Sequence, residues 1–128
     1  MAKKKILWVD DDEDLTLSLR PSLEKEGWQV KTAASAEEGK NMAASDKPDL
    51  IVMDIIMEDE HGYKAIKGLR TSPALADVPI IVFSSLTRRW GETTASLEDA
   101  LLSNVEEFID KSAGIEGLIS TIRKHIGT

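Results

Sequence analysis

The 128-residue chain contains no cysteine and no long hydrophobic segment. Without cysteine, disulfide bridges and thiolate metal sites are excluded, and a cytoplasmic location is expected. The apolar runs are far shorter than the roughly 20 residues that a membrane helix needs. Only four apolar residues follow the basic start at residues 1–5 before the first aspartate, too few for the core of a signal peptide. We therefore expect no association with a membrane.

Positive charge is also scarce, since 16 Lys and Arg residues face 23 Asp and Glu residues and give a formal net charge of −7. This excess of negative charge argues against binding of a nucleic-acid backbone by this domain. The chain shows neither an internal repeat nor a low-complexity linker. We therefore predict a single domain over residues 1–128, either standing alone or excised from a longer protein.

Short apolar runs alternate with helix-like segments along the chain. The predicted strands are residues 4–9, 28–33, Leu50–Met53, 79–83 and Glu107–Asp110. The predicted helices are residues 13–26, a segment between Ser35 and Pro48, residues 62–70, residues 93–103 and a last helix with an apolar stripe at residues 115–122. Continuous apolar strands separated by helices require a sheet that is buried on both faces. The pattern therefore predicts an α/β fold with a doubly wound five-stranded parallel sheet.

Polar residues follow four of these strands at the point where each strand ends. Three aspartates occupy residues 10–12 after the first strand, Asp54 follows the third, Ser84 the fourth and Lys111 the fifth. Because the carboxyl ends of parallel strands share one edge of the sheet, we expect these side chains to converge there. Such a set can hold a hard divalent cation such as magnesium and stabilise a phosphoryl group.

Each of these residues also has an ordinary interpretation when it is considered alone. Residues 10–12 are typical of a helix N-terminus, with Asp12 as the cap. Asp54 and Ser84 are typical of solvated turns, and Lys111 of an exposed surface. Against this, a carboxylate such as Asp54 can attack a phosphoryl donor and become an acyl phosphate. The functional interpretation is favoured because each ordinary one would have to hold independently at matching strand ends.

Four stretches in this order and spacing resemble the response-regulator receiver domain of two-component signalling over essentially the whole chain. They are residues 6–12, 48–54, 79–85 and 108–111, with Met57 and Gly62 between the second and third. Each stretch is weak alone, but the ordered set is specific. We therefore expect a flavodoxin-like (βα)5 domain with strand order 2-1-3-4-5.

The resemblance implies that Asp54 is the phospho-acceptor. It implies that Asp10, Asp11, Asp54 and the backbone carbonyl of Ile56 hold Mg²⁺, and that Lys111 binds the phosphoryl group. The phosphoryl group would come from a histidine kinase, a phosphotransfer protein or a small donor such as acetyl phosphate. The protein would be a signalling switch rather than an enzyme, with self-catalysed phosphotransfer and dephosphorylation.

The switch that the resemblance implies involves Ser84 as the mobile hydroxyl and Phe108 as the aromatic residue that follows it. Their movement would change a partner-binding face formed by residues 93–103, the strand Glu107–Asp110 and the last helix. The readout would then be another protein, a second copy of the chain or a fused output domain. A core phenylalanine that never moves is the alternative for Phe108.

The chain departs from the family pattern in the loops. Glu58 and Ser112 stand where the family usually has proline. In the family, the proline at the second of these positions directly follows the conserved lysine and is joined to it by a cis bond. A cis bond before a residue other than proline costs about 2.5–4 kcal/mol, so we predict a trans Lys111–Ser112 bond with a reshaped loop, or a strained cis bond. The stretch between Ser84 and Lys111 is also longer than usual and holds residues 88–90, Arg-Arg-Trp, which is either a partner anchor or an ordinary loop.

Three other function classes remain to be weighed. A binding module of the same fold that no longer uses phosphorylation is supported by Glu58 and Ser112. A phosphatase with an aspartate nucleophile would use Asp10 and Asp12, but Asp14 stands where that motif has threonine, and the chain has no room for a cap domain. Nucleotide binding is disfavoured because no glycine-rich phosphate loop follows the first strand.

Overall fold

Five parallel strands form one sheet in the order β2-β1-β3-β4-β5, in a computed structural model that describes residues 3–54, 62–84 and 105–127. The strands are β1 (Lys5–Val9), β2 (Gln29–Ala33), β3 (Leu50–Met53), β4 (Ile80–Ser84) and β5 (Glu107–Asp110). The predicted fold class and strand order are therefore confirmed. The strand bounds differ from the predicted ones by at most one residue.

Helices connect the strands and lie on both faces of the sheet. They are α1 (Glu13–Glu24), α2 (Ala36–Ser45), α3 (Gly62–Thr71) and α4 (Gly114–Ile126), with a 3-10 turn at Lys111–Ala113 before α4. The predicted helix at residues 93–103 lies outside the described residues. In the described part of the chain, no helix combines the length and the apolar character of a membrane span.

Alternate residues of each central strand enter two separate cores. On β1, for example, Leu7 and Val9 face the cluster that includes α2 and α3, whereas Ile6 and Trp8 face the cluster that includes α1 and α4. This alternation follows from the period of two along a strand. Because both faces are covered, β3 and β4 are buried throughout, and this explains why their sequences are continuously apolar.

Side-chain caps set the beginnings of the first two helices. Asp12 accepts a hydrogen bond from the N–H of Leu15 at 3.1 Å, so the predicted cap of α1 is confirmed. Ser35 accepts from the N–H of Glu38 at 3.1 Å at the start of α2. The Glu38 carboxylate returns to the N–H of Ala34, one residue earlier than a capping box requires.

The first helix ends two residues before its predicted end. It continues through Pro21, whose carbonyl accepts from the N–H of Lys25 at 3.0 Å, and then gives way to a turn. Gly27 in this turn has a φ of +98°, a conformation that other residues rarely adopt. The apolar spacing of α1 did not reveal this turn, because residues 25 and 26 are compatible with a helix by propensity.

Close packing of α2 fixes the end of β1. A β-carbon at Gly39 would lie 2.7 Å from Cγ2 of Val9, so only glycine lets the helix approach this closely. Val9 is fully buried and directly precedes Asp10. The helix therefore holds in place the strand end from which the first acidic residue extends.

Candidate functional site

Three carboxylates lie together at the carboxyl edge of the sheet. Oxygen atoms of Asp10, Asp11 and Asp54 all lie within 4.8 Å of one another. Asp10 is 1% exposed and Asp54 is 5% exposed, whereas Asp11 is open to solvent. The N–H of Asp10 bonds to the carbonyl of Ala33, and that of Asp54 to the carbonyl of Val9. The strand ladder therefore extends to both buried aspartates and fixes their backbone.

Lys111 bridges the two buried carboxylates. Its Nζ lies 3.0 Å from Oδ2 of Asp54 as a hydrogen bond and ion pair. The same Nζ lies 3.0 Å from Oδ2 of Asp10, but this contact is an ion pair without the angle of a hydrogen bond. One ammonium therefore neutralises parts of two carboxylates.

Ser84 contacts the other oxygen of the same aspartate. Its fully buried hydroxyl donates to Oδ1 of Asp54 at 2.5 Å. Ser84 is the last residue of β4, and Asp54 directly follows β3, the neighbouring strand. The predicted convergence of Asp54, Ser84 and Lys111 is therefore what the sheet produces.

Burial and neighbouring charge change the proton affinities in this cluster. Burial raises the pKa of Asp10 above its ordinary value, while the N–H of Asp12 and the ammonium of Lys111 act in the opposite direction. Burial lowers the pKa of Lys111, but the carboxylates of Asp54 and Asp10 outweigh it, so the net shift is upward. Lys111 therefore remains an ammonium at neutral pH.

The donor set of this cluster fits a hard divalent cation. Oδ2 of Asp10 is buried and accepts no hydrogen bond from the described residues, so only the ion pair with Lys111 offsets its charge. All three clustered side chains offer carboxylate oxygens, which are the ligands that magnesium prefers. Ile56, whose carbonyl was expected as a further ligand, lies outside the described residues.

The three members of the acidic triplet occupy different environments. The N–H of Asp12 donates to Oδ1 of Asp10 at 2.9 Å, while the Asp12 carboxylate caps α1. Asp11 is exposed and belongs to the carboxylate cluster. The capping interpretation is therefore confirmed for Asp12, while metal binding by Asp10 and Asp11 stays a prediction.

The chain reverses after β5 through a turn that the sequence did not reveal in detail. No peptide bond among the described residues is cis, so the Lys111–Ser112 bond is trans, and the loop is a 3-10 turn. The Asp110 side chain accepts from the N–H of Ser112 at 2.9 Å. Sequence reasoning assigned no role to Asp110, although an aspartate directly before a turn is a recognisable capping signal.

The remaining predicted residues divide between described and undescribed parts of the chain. Phe108 is half-buried, packs against the core next to α2 and α3, and pairs in register with Val82 on β4. This position is compatible with either of the two interpretations of Phe108. Glu58 and residues 88–90 lie outside the described residues.

A doubly wound parallel sheet with clustered carboxylates, a hydroxyl and a lysine at its carboxyl edge is the arrangement expected of the receiver domains that the sequence resembles. The model of the response regulator receiver domain family matches residues 6–123. The chain therefore belongs to the response regulator receiver domain family, as the sequence resemblance predicted. Its function is that of a phospho-accepting receiver in two-component signal transduction, and members of this family are in general signalling switches.

Curated relatives are similar over one part of their length. The chain is 32% identical over 119 residues to the response regulator MprA of Mycolicibacterium vanbaalenii, covering 93% of the chain and 48% of that protein. It is 38% identical over 82 residues to the alkaline phosphatase synthesis transcriptional regulatory protein PhoP of Bacillus subtilis, covering 64% of the chain and 33% of that protein. The chain thus spans about half the length of the MprA proteins it matches.

Solved structures share the fold. The chemotaxis protein CheY4 of Vibrio cholerae superposes with a TM-score of 0.84 at 23% identity, covering 97% of this chain and 99% of that chain. A two-component response regulator from Clostridium difficile gives a TM-score of 0.81 at 27% identity, covering 97% of this chain and 96% of that chain. The architecture extends over nearly the full length of each.

Proposed function

We propose that Asp54 is the residue that accepts the phosphoryl group. The observation that carries this proposal is the environment of its side chain, which is 5% exposed and contacted on both oxygens. Ser84 donates to one oxygen and Lys111 to the other. A solvated turn aspartate, the ordinary alternative, would be open to water. The buried position next to an ammonium therefore supports an acceptor role.

The proposed reaction is an in-line phosphoryl transfer to a carboxylate. An oxygen of Asp54 forms a bond to phosphorus while the bond from phosphorus to the donor nitrogen or oxygen breaks. The donor atom, of a phosphohistidine or of acetyl phosphate, leaves with the bonding electrons. The Lys111 ammonium offsets the charge of the transferred group, and the Ser84 hydroxyl donates to one of its oxygens. Positioning of the reactants and neutralisation of charge accelerate the phosphoryl transfer.

The proposal includes Mg²⁺ held by Asp10, Asp11, Asp54 and the carbonyl of Ile56. When bound, the cation would neutralise negative charge on the transferring oxygens. The chain's own groups prepare the site: the N–H of Asp12 orients one oxygen of Asp10 and leaves the other without a hydrogen bond from the described residues. That arrangement is suited to an additional cation.

Phosphorylation of Asp54 is proposed to shift a pre-existing equilibrium between two conformations. Ser84 would turn from Asp54 towards the phosphoryl group, and Phe108 would change its packing against the core next to α2 and α3. The altered surface would lie around β5, α4 and residues 93–103. The same site would release the group to water, so dephosphorylation is self-catalysed.

The proposal extends to the partners of the domain. We propose that a histidine kinase or a phosphotransfer protein supplies the phosphoryl group in the cytoplasm. The output is proposed to pass to another protein, a second copy of the chain or a fused output domain, and the greater length of the matched relatives is compatible with the last. Direct nucleic-acid binding by this domain is not proposed, because its net charge is −7.

Intact-mass spectrometry after incubation with acetyl phosphate and Mg²⁺ tests the proposal. We expect one phosphoryl adduct on the wild type and none on Asp54→Ala or without Mg²⁺. Asp77→Ala is the matched control, because this exposed carboxylate lies at the opposite edge of the sheet and pairs with Lys47. It should be phosphorylated like the wild type.

The contrary result is equally specific. No adduct on the wild type, together with no detectable Mg²⁺ binding, would replace the proposal with a binding module of the same fold that does not use phosphorylation. An adduct that persists on Asp54→Ala would assign the acceptor to another residue.

A further inference from the structure

The turn after β5 contains a side chain that the proposed chemistry leaves without a role. Asp110 is the last residue of β5, and its Oδ1 accepts from the N–H of Ser112 at 2.9 Å. Between them lies Lys111, the residue whose ammonium reaches two carboxylates. We propose that Asp110 is a positioning residue that holds the turn from which Lys111 reaches the site. The inference rests on the proposed phosphorylation of Asp54.

The turn needs such a cap because it is short. Only Lys111–Ala113 adopt the 3-10 conformation, and the N–H of Gly114 donates back to the carbonyl of Lys111. Short 3-10 turns have poor hydrogen-bond geometry, and their first N–H groups have no partner within the turn. Asp110 has an extended backbone (φ −74°, ψ 140°) and supplies a side-chain oxygen, as an N-cap does.

Few other interactions restrain the turn at Lys111–Ala113. The Lys111–Ser112 bond is trans, and Ser112 lacks the fixed φ that a proline would impose. At the start of α4, Ala113 makes no side-chain capping bond, and Gly114 has a φ of +71°, where glycine is favoured. Besides the backbone bond from Gly114 to Lys111, the Asp110 side chain is therefore the capping group that restrains this turn among the described residues.

The direction of the turn matters because Lys111 must satisfy two partners at once. Its Nζ lies 3.0 Å from both Asp54 and Asp10, which extend from different strands. A long lysine side chain has many rotamers, so only a defined backbone position makes both contacts the preferred arrangement. Asp110 pairs in register with Ser84, so the turn begins level with the hydroxyl of the site.

A series of substitutions at position 110 separates capping from charge. Asparagine and serine are good N-caps without a charge, whereas alanine neither caps nor carries one. Glutamate keeps the charge on a longer side chain. We expect Asp110→Asn and Asp110→Ser to be phosphorylated by acetyl phosphate within about twofold of the wild-type rate. Phosphorylation of Asp110→Ala and Asp110→Glu should be slower by about fivefold, because loss of one cap lowers the population of the correctly placed turn by about that factor.

Two controls show whether the effect passes through Lys111. In a Lys111→Ala background, Asp110→Ala should change the phosphorylation rate no further, because the group that it positions is gone. Glu116→Gln is the matched charge control: this exposed carboxylate lies in the first turn of α4 and should leave the rate unchanged. A full additional loss in the double variant would overturn the proposal. Retention of the rate by glutamate with loss by asparagine would also overturn it and point to charge instead.

Hydrogen exchange of the Ser112 amide separates this inference from the function on which it rests. The unphosphorylated protein should protect that amide in the wild type and in Asp110→Asn, and lose the protection in Asp110→Ala. If the wild type takes up no phosphoryl group, the proposed function fails, and the exchange experiment still decides whether Asp110 caps the turn. Equal exchange in all three proteins would contradict the cap.

Discussion

The two edges of the sheet hold charged side chains in different ways. At the carboxyl edge, one ammonium, that of Lys111, lies 3.0 Å from two buried carboxylates, those of Asp10 and Asp54. At the opposite edge, acidic and basic groups form ion pairs, one carboxylate being shared by two lysines, and these groups stay at least partly in contact with water. These pairs are Lys5 and Lys31 with Asp46, Lys47 with Asp77, and Arg70 with Glu106.

The difference distinguishes a candidate functional site at the carboxyl edge from ion pairs at the opposite edge that stabilise the fold. The carboxyl edge brings three carboxylates and one lysine close together. Repulsion between close carboxylates costs stability unless a cation offsets it. At the opposite edge each of the named carboxylates has at least one cationic partner, and the pairs join segments that are distant in the sequence. We therefore expect substitutions at the two edges to separate stability from phosphorylation.

Arg70→Ala should have the largest effect on stability. Its guanidinium donates to the carbonyls of Leu75, Ala76 and Val78 and to the Glu106 carboxylate, which also accepts from the N–H of Ile80. Hydrogen bonds to charged groups contribute roughly 1.5–3 kcal/mol each, and they are not additive. We expect a loss of about 3 kcal/mol in the free energy of unfolding, measured with urea.

The rate of phosphorylation should show that the contacts of Arg70 stabilise the fold without contributing to the phosphorylation site. Folded Arg70→Ala should react with acetyl phosphate at the wild-type rate, since Arg70 lies at the far edge. Lys4→Ala is the matched control for loss of a positive charge, because its exposed side chain has no partner among the described residues. A large loss of phosphorylation in folded Arg70→Ala would break the separation of the two edges.

Lys111→Met should affect both properties. Removing one partner of a buried ion pair costs roughly 3–5 kcal/mol, and the partial exposure of Lys111 reduces this to about 2 kcal/mol. Without the ammonium, phosphorylation of Asp54 should become at least about a hundredfold slower, because charge stabilisation is lost. Added Mg²⁺ should recover part of the stability by binding the uncompensated carboxylates.

Urea unfolding with and without Mg²⁺, together with intact-mass kinetics, measures both effects. A Lys111→Met protein that is phosphorylated at the normal rate would contradict the role assigned to this ammonium.

Glu107→Gln should have a smaller effect that depends on pH. His125 first, and Lys124 also, lower the pKa of Glu107 below its ordinary value of 4.5. Because the pKa of Glu107 is lower in the folded protein than in the unfolded chain, its ionised form stabilises the fold above pH 4.5. This stabilisation is lost as the pH falls through the pKa of the folded protein. These pairs are partly exposed, so the contribution at pH 7 should be less than about 1 kcal/mol.

Urea midpoints at pH 7 and below pH 4 measure this contribution. The difference between the wild type and Glu107→Gln should shrink at the lower pH. A difference that is the same at both values would show that the charge of Glu107 contributes nothing to stability.

Asp46→Asn should have the smallest effect. Asp46 lies between the ammonium groups of Lys5 and Lys31, and these contacts lower its pKa. Because all three side chains are partly exposed, water and salt screen the interaction. We expect a small fall in the urea midpoint that disappears at high salt, with no change in phosphorylation. A large, salt-independent fall would show that this edge contributes more than exposed pairing.

Much of the sheet and of the site could be predicted from local patterns. Continuous apolar runs require two covered faces, and the strand ends then determine which residues share an edge. Asp54, Ser84 and Lys111 were placed together on that basis, and the structure brings them into contact. Asp12 was predicted as a helix cap because capping depends only on residues next to it in the sequence.

Contacts between distant side chains could not be predicted in the same way. Arg70 and Glu106 are 36 residues apart, and no periodicity links them. The contact of Lys111 with two carboxylates depends on the turn that follows β5. The sequence left open whether the Lys111–Ser112 bond is trans or cis, and the structure shows that it is trans. Residue types identify candidates for such contacts, but the contacts themselves depend on tertiary geometry.

The most direct test of the central claim is to locate the phosphorylated residue chemically. The phosphorylated wild-type protein would be reduced with borohydride, which converts an aspartyl phosphate into homoserine, and then mapped by peptide mass spectrometry. The account predicts homoserine at Asp54 and unchanged aspartate at Asp10 and Asp11. Homoserine at Asp10 or Asp11, or the absence of homoserine from all three positions, would contradict it.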